Sequence, residues 1–129
     1  MRLDDSGLLK IALGTSTIGL LLLFIVSSPQ AEKVRIIEID YEDVGNLVII
    51  EGRVASKHVH EDGHIFLKVK DDTGLISTVV FASDVEKLEP KVLDCLGVGR
   101  TISVIGRVEE YRGALEIIPS RGNGLSCLT

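Results

Sequence analysis

Residues 47–81 read LVIIEGRVASKHVHEDGHIFLKVKDDTGLISTVVF. Within them, His64 to Lys70 alternates strictly, with Ile65, Leu67 and Val69 on one side and His64, Phe66, Lys68 and Lys70 on the other. That period of two predicts a half-buried strand. Asp71-Asp72-Thr73-Gly74 supplies a turn, with Asp for local hydrogen bonds and Gly for positive φ. Leu75 to Phe81 is then the hairpin partner. Upstream, Leu47 to Ser56 is rich in β-branched residues, as strands are. Gly52 in its middle predicts a bend or bulge, which a long strand needs to serve two sides of a barrel.

The pattern changes period after Phe81. Ser83 followed by Glu86 is a capping-box signature, and Val85, Leu88, Val92 and Cys95 or Leu96 recur at helical spacing. Pro90 inside this run predicts a short, kinked or broken helix. Thr101 to Val108 is strand four, Glu109 to Gly113 a turn, and Ala114 to Pro119 strand five. Val34 to Asp40 is expected as a short extended segment or lead-in strand. The order, three strands, a helix and two strands, predicts an all-β five-stranded Greek-key barrel with one short helix between strands three and four. The chain from Ser120 onward is Gly-rich; the barrel domain is expected over residues 31–122, and residues 123–129 as a flexible tail.

The chain has 129 residues, of which 45% are hydrophobic and 26% charged. Both figures fit one chain because the apolar residues concentrate in Leu8 to Val26, where Lys10 is the only charge. At about 1.5 Å per residue this run matches the roughly 30 Å hydrocarbon core. Residues 1–30 are therefore expected to be a transmembrane anchor and linker. A small domain has no room to surround such a helix. A cleaved signal peptide is the sharper rival, but the run exceeds a typical apolar core and Pro29 follows the candidate cleavage site. Single-pass membrane localisation follows. Arg2 and Lys10 on one flank nearly balance Lys33 and Arg35 on the other, and the short amino-terminal flank tilts the barrel towards the extracytoplasmic side.

Residues 31–129 hold 12 Lys and Arg against 17 Asp and Glu. This is not the footprint of a strong non-specific nucleic-acid binder. Cys95 and Cys127 lack metal spacing and form no CxxC. They read either as a disulfide in an oxidising compartment or as a small core residue and a thiol in a loose tail.

Val44-Gly45, Val48 to Val54, Gly63 to Asp71, Gly74 with Val79-Val80-Phe81, Val98-Gly99, Val104 to Val108 and Glu116-Ile117 together resemble the anticodon-binding OB-fold of class II aminoacyl-tRNA synthetases and the wider nucleic-acid-binding OB group. The resemblance implies that the aromatic ring at Phe66 stacks on a base and that Lys70 lies on the same face. It departs from the synthetases in the loop Lys57 to Gly63, which is roughly neutral where theirs is rich in arginine, and the synthetase catalytic motifs are absent. A stand-alone binding module is implied.

The basic residues on strands one, two and four and the adjoining loops are Arg53, Lys57, Lys68, Lys70, Arg107 and Arg112. The expected nucleic-acid contacts are Phe66, Lys68, Lys70, Arg53 and, at the last hairpin tip, Tyr111. The expected ligand is single-stranded DNA or RNA held with modest, salt-sensitive affinity. His58, His60 and His64 beside Glu61 and Asp62 are too few and too irregular for a closed zinc shell, so no metal is expected, although this loop can respond to pH. No nucleophile–base pair or phosphate loop appears, so no catalytic residue, cofactor or enzymatic activity is expected. A membrane helix before an OB barrel also resembles the haem chaperone of cytochrome c maturation. That family attaches haem through a histidine near its C-terminus, and here no histidine follows His64. What survives of that comparison is a membrane-tethered scaffold for a protein partner.

Overall fold

The computed structural model describes residues 15–18, 20 and 30–128. The chain divides into two units, Met1–Gln30 and Ala31–Thr129. In the first, residues 15–18 and 20 are helical. Most of the run 8–26 lies outside the described residues, and among the described residues no helix is long and apolar enough to cross a membrane.

The second unit is a closed five-stranded barrel with one short strand added at each end. Its strands are β1 (Glu32–Lys33), β2 (Leu47–Val59), β3 (Ile65–Lys70), β4 (Leu75–Val80), β5 (Thr101–Tyr111), β6 (Ala114–Pro119) and β7 (Leu125–Cys127). They form one sheet in the order β1-β2-β3-β4-β6-β5-β7, closed by pairing of β2 with β5. The first half of β2 (Leu47 to Arg53) pairs antiparallel with Arg107 to Thr101. Its second half (Arg53 to Val59) pairs with Lys70 to Ile65. The register shift lies between Val54 and Ser56, so the bulge falls at Ala55 rather than at Gly52. Gly52 acts differently, because a Cβ there would sit 2.6 Å from the Lys70 carbonyl oxygen. It permits close approach of the crossing strands.

The alternation of β3 holds, with Ile65, Leu67 and Val69 buried and Phe66, Lys68 and Lys70 outward. The inward row meets Val48, Ile50, Val54, Ile76, Val80, Ile102, Val104, Val108 and Ile117 in one core. Thr78 is fully buried among them, and its hydroxyl oxygen has no hydrogen-bond partner. Burying an unpaired hydroxyl costs about 1–3 kcal/mol, so Thr78→Val is expected to stabilise the domain by about 1 kcal/mol. A rise in the urea midpoint at constant slope is the measurement, and a fall would contradict it.

The one short, kinked or broken helix expected between strands three and four is broken into two, α1 (Ala82–Val85) and α2 (Pro90–Asp94). Pro90 opens α2, where its missing N–H costs nothing. The Ser83–Glu86 capping box does not form. Phe81 takes the cap position without a side-chain bond, and the Ala82 N–H donates to His64 Nδ1 at 2.9 Å. The start of α1 is thus satisfied from another element, and Ser83 already lies inside it. Strand β5 runs on to Tyr111, so the expected turn over 109–113 contracts to Arg112 and Gly113, with φ of 51° and 81°. Two successive positive φ values suit a two-residue hairpin.

Both flanks are more ordered than the sequence suggests. The lead-in holds a 3₁₀ turn at Ile36–Glu38, and Ile36 is only 5% exposed. Asp71 anchors it: one carboxylate oxygen accepts the Ile36 N–H, and the other accepts the Thr73 N–H, the Thr73 hydroxyl and the Gly74 N–H. Partial burial works against ionisation here, but these hydrogen bonds outweigh it and the Asp71 carboxyl lies below its ordinary range. The expected flexible tail is a strand: β7 pairs antiparallel with Ile102 to Val104. Leu125 is buried, and Cys127 is disulfide-bonded to Cys95 across a Cα separation of 5.7 Å.

Candidate functional site

The open face of the barrel is set by three strands. Phe66 stands outward from β3 at 39% exposure, directly opposite His58 on β2. The His58 ring lies 6.3 Å from the Phe66 ring and the His60 ring 6.4 Å, so two imidazoles flank the phenyl group. On its other side Phe66 pairs with Val79 of β4. Beyond Val79 a cavity of ≈ 330 Å³ is lined by His64, Phe66, Val79, Phe81, Tyr111 and Glu116. Tyr111 enters it because β5 extends to the hairpin tip. The Arg112 guanidinium lies 5.2 Å from the Tyr111 ring centroid, and the Tyr41 hydroxyl donates to the Gly113 carbonyl of the same tip.

Phe66 and Tyr111 therefore border one cavity, though they stand far apart in sequence. Lys68 and Lys70 continue outward from Phe66 along β3, and Arg53 is the direct register partner of Lys70. Direct partners share a face, so Arg53, Lys68 and Lys70 lie on one side with Phe66. At about 3.3 Å per residue, Lys70 and Arg53 are roughly 13 Å along β3 from the ring. Lys57 is opposite inward-facing Leu67 and belongs to the other side of β2. Arg107 lines a neighbouring cavity of ≈ 530 Å³ with Arg121, Glu109 and Glu110, and this cavity shares Phe81, Tyr111 and Glu116 with the first. Arg107 and Arg121 thus share their cavity with three carboxylates, apart from Arg53, Lys68 and Lys70.

Sequence reading missed Phe81 and Glu116. Phe81 follows the last strand residue, is 43% exposed, and meets His64 edge-to-face at 5.7 Å. A strand-end aromatic carries no period of its own, so only the fold brings it to the cavity. Glu116 lies in β6 beside Ser77 of β4. Burial pushes its carboxyl above the usual range. A carboxylate so placed repels phosphate and accepts hydrogen bonds from N–H donors. Among the described residues no group of histidine, cysteine and acidic side chains could hold a metal ion. Chemically, the face offers ring surfaces for stacking, cations along one strand and one acceptor at its far wall.

Residues 48–122 match the family described as the OB-fold nucleic acid binding domain, of tRNA anti-codon type. Among curated proteins, 70 residues are 36% identical to the tRNA 2-agmatinylcytidine synthetase TiaS of Pyrococcus horikoshii, over 54% of this chain and 16% of that protein. A further match is the exodeoxyribonuclease 7 large subunit of Helicobacter hepaticus, 26% identical over 95 residues, 72% of this chain and 21% of that one. The chain thus spans less than a quarter of either relative. Among solved structures, the asparaginyl-tRNA synthetase of Entamoeba histolytica in complex with asparaginyl-adenylate superposes with a TM-score of 0.64 at 20% identity, covering 78% of this chain and 24% of that one. This last likeness speaks for the fold alone.

Proposed function

Because this chain belongs to the OB-fold nucleic acid binding domain family, we propose that it binds single-stranded nucleic acid on the open face of β2 and β3 as a membrane-tethered module without catalytic activity. The observation that carries the reading is the exposed Phe66 ring, outward on β3 in line with Lys68 and Lys70. An exposed ring stacks on a base of any sequence, and cations along the strand contact phosphates. Arg53 joins Lys70 at one end of this path, and Tyr111 offers a second ring across the cavity. The domain's net negative charge keeps the affinity modest and confines attraction to this face.

The apolar run 8–26 supports the tether. The Cys95–Cys127 bridge supports a barrel in an oxidising compartment, on the extracytoplasmic side. Glu109, Glu110 and Glu116 beside Phe81 and Tyr111 favour a second reading, a docking face for a basic protein segment with no nucleic acid.

One experiment separates the two. The full chain in non-ionic detergent is titrated with a fluorescent single-stranded oligonucleotide at low and moderate salt. Saturable binding that weakens with salt is expected, and Phe66→Ala should weaken it about fivefold or more, from about 1–3 kcal/mol per stacked base. No binding at low salt, or an unaffected variant, removes the nucleic-acid reading and leaves the protein-docking one.

A further inference from the structure

The three-ring cluster His58, His60 and Phe66 is only partly used by stacking on the phenyl ring. We propose that binding at this face strengthens as pH falls, because His58 and His60 acquire charge beside the ring on which the base stacks; this rests on the nucleic-acid reading above. Histidine is the side chain that ordinarily charges between pH 5 and 8. Both imidazoles are exposed, lie 6.4 Å from each other, and lie within 6.4 Å of Phe66. A base on Phe66 brings its own phosphates to that distance range, where each imidazolium adds a screened attraction.

The surroundings decide how the two histidines share the effect. From β3, Lys68 lies on the same face and adds a fixed positive charge. From β4 the facing residues, Ser77 and Val79, are neutral. The loop contributes Glu61 and Asp62, and Asp62 contacts His60 directly. His60 Nδ1 accepts the Asp62 N–H at 3.2 Å and lies 3.3 Å from Asp62 Oδ2. A proton on that nitrogen turns His60 towards the carboxylate, which offsets part of its charge. His58 has no carboxylate partner among the described residues, so it carries the larger share. Lys57 lies on the other side of β2. His64 lines the adjoining cavity with Phe66, edge-on to Phe81, and its Nδ1 accepts the Ala82 N–H. Glu116 stands at the far wall of the adjoining cavity, where burial raises its carboxyl above the usual range, so it needs its own control.

The test titrates the full chain in detergent with a short oligothymidylate, whose bases do not ionise in this range, at about pH 6 and about pH 8. Kd is expected to be about fivefold lower at the acidic value, and the salt dependence steeper by up to about 1.4 in slope, from two added single-strand phosphate contacts. The double variant His58→Gln/His60→Gln should lose most of this difference, His58→Gln alone should lose more of it than His60→Gln, and Glu116→Gln should keep it. The salt slope of the unaltered chain tests the same point should a variant misfold. Binding that depends on Phe66 but has equal Kd and slope at both pH values overturns this inference alone. A response that survives the double variant and disappears in Glu116→Gln also overturns it. Absence of binding at both pH values overturns it together with the nucleic-acid reading.

Discussion

Gly106→Ala is expected to cost the domain about 3 kcal/mol or more, a fall in Tm of about 12 °C or more. Gly106 is buried in β5 where the strand is paired on both sides, opposite Val48 of β2 and Pro119 of β6. A Cβ there would lie 2.7 Å from Ile117 Cγ2 and 2.8 Å from the Ile118 carbonyl carbon, and would meet the Ile118 carbonyl oxygen as well. Two of these three atoms are backbone, so no rotamer change relieves the clash. Strand β6 has to move, and β6 carries Ile117 into the core and Glu116 into the cavity. Against a typical total of about 5–15 kcal/mol, such a loss leaves a marginal fold. Gly97→Ala is the matched control, because the nearest atom to its Cβ would be 4.0 Å away. Urea unfolding of the two variants side by side decides the matter. A loss below about 1 kcal/mol for Gly106→Ala, similar to that for Gly97→Ala, would show that β6 gives way freely.

Reducing the Cys95–Cys127 bond is expected to destabilise the domain by a similar amount. The bond closes a loop with a sequence separation of 32, for which chain entropy alone gives about 3–4 kcal/mol. The measurement is Tm with and without a dithiol reductant, repeated on Cys127→Ala, which should match the reduced protein and be insensitive to reductant. The loss has a definite structural content. β7 has three residues and pairs with only Ile102, Ser103 and Val104. Without its covalent link to the residue that ends α2, this strand is too short to hold its place by backbone bonds alone. Leu125 then leaves the core and the β5 edge opens. An unchanged Tm under reduction would mean that β7 is held by its side chains and that the bond is incidental.

The parts of the fold that were legible in the sequence are those where a local period meets a local turn. His64 to Lys70 announced its faces because the side-chain period of a strand is two, and Asp71 to Gly74 announced the hairpin. Ala114 to Pro119 was placed as a strand after the turn over Glu109 to Gly113, and β6 has those bounds. Elements ordered by distant partners were not. Ser83 and Glu86 spell a capping box, yet the cap is supplied by His64, which is remote in sequence. Leu125 to Cys127 lies in a Gly-rich segment that resembles a loose end until Cys95 is brought beside it. Gly52 signalled a special backbone position, but a single glycine does not distinguish a bulge from a close crossing. In the candidate site, Phe66, Lys68 and Lys70 were legible from alternation, and Arg53 shares their face through the β2–β3 register. The shared cavity of Phe66, Phe81, Tyr111 and Glu116 was not, because it assembles residues from three further segments that only barrel closure juxtaposes. The β2–β3 register past its bulge turns Lys57 to the other side, and Arg107 lines the neighbouring cavity.

The closing register joins Leu47 to Arg53 with Thr101 to Arg107. On a ribosome, the first half of β2 emerges long before its partner exists. Val48 and Ile50, which end up buried, stay uncovered until residue 107 has been made and released. The nascent chain therefore carries an apolar half-strand with an unfilled edge through much of its synthesis, and strand-seeking neighbours or holding chaperones meet it in that interval rather than after the barrel has shut.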